Sequence, residues 1–154
     1  MSRRRAPLVV EFNRFVPDAL VEAIAVRVAA GTGWINVRPS DDGVDHRALG
    51  RPSFFAARGP TIPLGTFVVG TGSAPHQLGL EHAGGRGALA QLRKAGVTLP
   101  PGTTLVQDHP RRGLIFSLPY DTQPAATATL LVEAAVQLTP IPLPQRWFAE
   151  IYER

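Results

Sequence analysis

Thr103-Thr104-Leu105-Val106-Gln107-Asp108-His109-Pro110-Arg111-Arg112-Gly113-Leu114-Ile115-Phe116-Ser117-Leu118 reads as two strands joined by a tight turn. Proline suits the second position of a turn and glycine a positive-φ bulge position, so Pro110 and Gly113 mark a hairpin tip. The two arms must then run antiparallel. A second pair precedes them: Leu64 to Val69 and His76 to His82 flank Gly70-Thr71-Gly72-Ser73-Ala74-Pro75, which is turn chemistry. Two hairpins commit most of a sheet to antiparallel pairing.

Helical signals appear three times around this frame. Pro17-Asp18 opens a helix to Ala30, with Leu20, Ile24 and Val28 as one apolar stripe and Gly31 as its stop. Ala88 to Ala95 is a short helix ended by Gly96. Asp121 or Thr122 is expected to cap a third helix through Leu138, with Leu130, Leu131, Ala134, Ala135 and Leu138 buried. Pro7 to Phe12 and Trp34 to Val37 read as strands. Pro140, Pro142 and Pro144 force an extended connector before a last strand, Trp147 to Tyr152. Residues 39–53 are a polar loop, after which Phe54 to Ala57 resumes apolar character. The pattern predicts α+β: a largely antiparallel sheet with about three helices packed on one face, and a β-α-β unit at each end.

At 154 residues the chain fits one domain, expected over residues 7–154, behind a basic disordered tail at 1–6. It has no cysteine, which excludes disulfides, thiolate metal sites and a Cys nucleophile, and fits a cytoplasmic location. No apolar run approaches the roughly 20 residues that span a bilayer, so no membrane partner is expected. The net charge is +4, but Arg3, Arg4 and Arg5 supply three of the positive charges and the rest are scattered. Nucleic-acid binding is therefore disfavoured. Lys94 is the only lysine, a bias that fits a GC-rich genome and weakens arguments from arginine at single sites.

One charged pattern occurs twice. Glu81-His82-Ala83-Gly84-Gly85-Arg86-Gly87 and Asp108-His109-Pro110-Arg111-Arg112-Gly113 each run from an acid through histidine to arginine and glycine. Strand alternation points each acid away from its own histidine. It sets Leu105 with His109 and Asp108 with Val106. Productive pairs must therefore form between strands, Glu81 with His109 or Asp108 with His82. A carboxylate–imidazole pair raises the histidine pKa and fixes its tautomer, as a general base requires. Glu81, His82, Asp108 and His109 are the candidate acid–base groups, although such pairs also satisfy polar groups with no further role.

Gly84-Gly85-Arg86-Gly87 lies between a strand and a helix, where backbone N–H groups can hold an anion. Arg86, Arg111 and Arg112 would add charge if the two segments meet. The segment superficially resembles the acyl-CoA pyrophosphate loop of small acetyltransferases. It departs from that loop at His82, where Gln or Arg stands, and in the hairpin that follows, so no membership is assigned. Neither dinucleotide nor P-loop spacing is present, and the residues name no cofactor. A metal site from His46, His82, His109 and an acid matches no ligand spacing. The expectation is a phosphate-bearing small molecule bound near 82–87 and 109–113. The alternative is a non-catalytic partner-binding protein, a homodimer or subunit, using an exposed aromatic C-terminal strand (Trp147, Phe148, Tyr152).

Overall fold

The computed structural model describes residues 5–43 and 59–153. Seven strands form one antiparallel sheet: β1 (Leu8–Asn13), β2 (Trp34–Pro39), β3 (Leu64–Val68), β4 (His76–Glu81), β5 (Thr104–His109), β6 (Gly113–Leu118) and β7 (Arg146–Tyr152). Their order is β1-β7-β2-β3-β4-β6-β5. Three helices, α1 (Asp18–Ala30), α2 (Ala88–Lys94) and α3 (Pro124–Gln137), pack against it. This is the α+β architecture that the two hairpins and three helical periods predict.

The order contains two split β-α-β units. β1 and β2 are joined by α1 and receive β7 between them; β4 and β5 are joined by α2 and receive β6. α3 carries the chain from β6 back to β7 across the middle of the sheet. One consequence decides where the polar segments lie. β1, β2, β4 and β5 all end, and β3, β6 and β7 all begin, at the same end of the sheet. Both acid–His–Arg–Gly segments are therefore at that end.

The core lies between the sheet and the helices. Across the sheet the register aligns Ile35, Phe67, Leu78 and Phe116, all buried. Leu20 and Ile24 of α1 and Leu130, Leu131 and Ala134 of α3 close over this face. α3 packs tightly on the sheet at Gly65, where a Cβ would sit 2.6 Å from a Leu131 methyl. Antiparallel alternation turns the other side of every strand away from the helices, and among the described residues no helix covers it.

Three sequence expectations need correction. α3 starts at Pro124, with Gln123 as N-cap and no side-chain capping bond, so neither Asp121 nor Thr122 caps it; the fixed φ of proline at N1 sets the start instead. The register of β5 shifts between Leu105 and Gln107, so Leu105 pairs with Phe116 and Asp108 with Leu114. The extra residue reverses the parity beyond it, and Asp108 shares the helix side with Leu105 instead of siding with Val106. β7 is no outlying strand: it pairs with β1 on one side and β2 on the other. Trp147 is fully buried. The apolar segment Phe54 to Ala57, His46 and most of the 39–53 loop lie outside the described residues.

Candidate functional site

The two charged segments meet, with one strand between them. Leu80, Leu114 and Asp108 stand in one row across β4, β6 and β5 on the helix side. His82 continues that side beyond Leu80. On the opposite side, Gly113 pairs with His109, and a Cβ on Gly113 would lie 2.4 Å from the Leu80 carbonyl oxygen and 3.4 Å from the Glu81 Cα. Asp108 thus shares a side with His82, and Glu81 with His109, each pair separated by β6. Neighbouring strands lie about 4.8 Å apart, so partners two strands away are roughly 10 Å apart at the backbone. No ion pair or hydrogen bond joins either couple.

Each group is instead engaged with nearby backbone. The Asp108 carboxylate accepts the Ala88 N–H at 3.2 Å through Oδ1 and the Leu89 N–H at 3.1 Å through Oδ2. It caps α2 from a different strand, doing what a local N-cap residue would do. Gly87, at the N-cap position with φ +69°, has no side chain for that task. The two N–H groups that open α2 are therefore already held by a carboxylate. Gln91 closes the preceding loop, donating to the carbonyls of Gly84 (2.8 Å) and Arg86 (3.1 Å). Asp108→Ala is expected to lower the unfolding free energy by about 1–2 kcal/mol by leaving these donors without a partner. Asp108→Asn should lose less, since one oxygen remains; urea denaturation of both variants checks the order.

His82 is fully buried. Its Nδ1 accepts the Gly84 N–H at 3.0 Å, which leaves the proton on Nε2, and Nε2 has no hydrogen-bond partner among the described residues. Burial pushes its pKa below the ordinary value, and the nearby Asp108 charge only partly offsets this. The ring is sealed from solvent, and burial favours its neutral form. His109 serves the hairpin: its Nδ1 accepts the N–H groups of Arg111 and Arg112, both at 3.1 Å. Arg86, Arg111 and Arg112 lie on the exposed rim of the same end. The chain returns against this end at Gly59, whose N–H bonds the Pro110 carbonyl at 2.9 Å.

A further histidine, given no role by the sequence, holds the far end of β4. His76 is buried, its Nδ1 accepts the Gly70 N–H at 2.9 Å, and its Nε2 donates to the Tyr120 carbonyl at 3.0 Å. Both ring nitrogens are satisfied in the neutral form, and burial lowers its pKa.

The helix-free face of the sheet carries the remaining distinctive chemistry. Trp34 of β2 stacks on Tyr152 of β7, with ring centroids 4.8 Å apart and planes 6° from parallel. Phe148, two rows along β7, has the Arg38 guanidinium 5.3 Å and the Arg146 guanidinium 5.4 Å from its ring centroid. Arg38 Nε donates to Glu150 at 3.0 Å, the Tyr152 hydroxyl donates to Glu150 at 3.1 Å, and Thr66 donates to Asn36 at 3.0 Å. Arg146 holds Asp42 with two bonds of 2.7 and 3.0 Å, and this pair keeps the Asp42 carboxyl below the usual carboxylate range. The sequence sets Trp147 with Phe148 and Tyr152 on one exposed strand; Trp147 is instead buried on the helix side, which leaves Phe148 and Tyr152 on the open face. Only the strand order shows that Trp34 and Arg38 lie beside them.

Two clefts among the described residues lie away from the charged segments. One of about 510 Å³ runs between Arg14, Phe15, Val97 and Val132; another of about 300 Å³ lies between α1 and β1. Among the described residues no three His, Asp or Glu side chains gather closely enough to hold a metal ion, and no helix is long and apolar enough to cross a membrane. The chain matches no protein-family profile, no curated protein and no solved structure.

Proposed function

We propose that the protein is a non-catalytic partner-binding domain whose contact surface is the helix-free face of the sheet around β7. The observation that carries this reading is the half-buried aromatic trio Trp34, Phe148 and Tyr152 with Arg38 and Arg146 beside it. Aromatic residues and arginine are the side chains most enriched at protein interfaces, and they bring large apolar area at low entropic cost. The partner is a protein, because charge on this face argues against phosphates: Glu11, Glu81 and Glu150 stand against Arg38 and Arg146. The role belongs to the face of the C-terminal strand, since its edges are both paired.

The second reading, an anionic small molecule held by Gly84, Gly85, Arg86, Gly87, Arg111 and Arg112 with His82, His109, Asp108 and Glu81 as acid–base groups, keeps one supporting observation: both segments reach the same end of the sheet. It is the weaker reading because Asp108 already occupies the start of α2 and His82 is buried. Inorganic phosphate, pyrophosphate and a CoA ester separate the two. A ligand at about 100 times its dissociation constant stabilises by about 2.7 kcal/mol, a shift of several degrees in melting midpoint. The face reading predicts no shift with any of them. A shift that disappears in Arg86→Ala/Arg112→Ala would overturn it in favour of the anion site.

A further inference from the structure

We propose that the outer edge of β1 is a self-association seam, where β1 of a second copy pairs antiparallel and the two α1 helices meet. Among the described residues β1 has no neighbour on its outer side. An edge strand presents unpaired backbone N–H and C=O groups, and proteins that stay monomeric blunt such edges with bulges, lysine or proline. The two edges of this sheet differ in that respect. β5 carries a bulge between Leu105 and Gln107. β1, Leu-Val-Val-Glu-Phe-Asn, pairs with β7 in unbroken register over all six residues and contains neither lysine nor proline.

The surface beside that edge is mostly apolar on the helix side. Leu8 is 65% exposed and Val26 of α1 is 52% exposed. Between them runs a groove of about 300 Å³ whose walls include Val10, Ala19, Ala23 and Ile151, with Glu22 and the Arg27–Glu153 ion pair also lining it. The small residues Ala19 and Ala23 let a second α1 approach closely, and Val26 of each copy can then fill the groove of the other.

A second copy fits better than an unrelated strand because β1 is self-complementary. A two-fold axis through Val10 sets Leu8 against Phe12 of the second copy on the helix side. Val9 falls against Glu11 of the second copy on the open side. The single charge of the strand never faces itself, which would destabilise the pair. The Arg146 guanidinium, 3.8 Å from Glu11, offsets that charge. Extending the sheet this way leaves the β7 face open and makes it continuous across both copies, so this seam is independent of the partner surface proposed above.

The seam is about 20 Å long, six residues at about 3.4 Å each, and two layers deep at about 10 Å per layer. That is roughly 400 Å² in projection per copy, below the typical 800 Å² of a stable interface, so the dimer should dissociate on dilution. Sedimentation velocity of the full chain at increasing concentration tests this. The wild type should move from 16.5 kDa toward twice that mass at concentrations of tens of micromolar or more. Leu8→Glu/Val26→Glu, both at exposed positions, should remain monomeric with an unchanged circular dichroism spectrum. Leu105→Glu on the opposite edge should dimerise like the wild type. A wild-type monomer at every concentration, or a dimer that survives Leu8→Glu/Val26→Glu, overturns the seam. So does a dimer lost in Leu105→Glu, or one lost in Phe148→Glu while Leu8→Glu/Val26→Glu retains it.

Discussion

Trp147→Ala is expected to lower the unfolding free energy by about 3–5 kcal/mol, the cost of emptying a large aromatic site in a packed core. Trp147 has no exposed surface, lies 6.3 Å from the Phe12 ring and donates its indole N–H to the Pro144 carbonyl at 3.0 Å. It sits on β7 between β1 and β2 and anchors the proline connector that feeds β7. A domain of this kind has only about 5–15 kcal/mol of stability, so the variant should sit near its folding limit. Trp34→Ala provides the contrast. Trp34 is half-buried on the open face, and its stack with Tyr152 is worth about 0.5–1.5 kcal/mol. Urea denaturation followed by circular dichroism measures both. Equal losses would mean that the open face is as much core as the helix side, contrary to the layer assignment.

His76→Leu is expected to cost about 2–4 kcal/mol at neutral pH. The leucine fills similar space but leaves the Gly70 N–H and the Tyr120 carbonyl without partners, and each buried orphan costs about 1–3 kcal/mol. The same variant changes the response to acid. His76 and His82 are both held below their unfolded value of 6.5 by burial. As pH falls past 6.5 the unfolded chain takes up protons on these rings while the folded chain does not. Stability is therefore full above pH 6.5 and declines as pH drops toward the folded values. His76→Leu removes one of the two groups, so its stability should fall less steeply than that of the wild type between pH 6.5 and about pH 5. An identical slope in both proteins would show that His76 titrates in the folded state as it does in the unfolded one.

The elements were legible because each depends on local chemistry. Gly70 to Pro75 and Pro110 to Gly113 are turns by composition, and Gly31 at φ +71° stops α1 where the apolar stripe ends. The strand order was not legible, because β7 enters between β1 and β2 through contacts far apart in sequence. That insertion pairs β7 on both sides and buries Trp147, which was expected among the exposed aromatics of the last strand. The charged repeat shows both limits. Alternation correctly turned each acid from its own histidine. The bulge at Leu105–Gln107 that places Asp108 over α2 has no composition signal in Leu-Val-Gln. No spacing rule could reveal that a carboxylate in β5 caps a helix twenty residues earlier. Parity could assign Phe148 and Tyr152 to one side, whereas their meeting with Trp34 and Arg38 required the β2–β7 register.

If the open face around β7 meets a protein partner, that partner lies within reach of Phe148 in the cell. Site-specific photo-cross-linking in the cells that make the protein measures this directly. A benzophenone side chain at position 148, on the aromatic face, is compared with one at Ala29, exposed on α1. A discrete adduct of defined mass at position 148, absent at position 29 and lost when Trp34→Glu is added, is the predicted result. No adduct at position 148, or the same adducts at both positions, would contradict it.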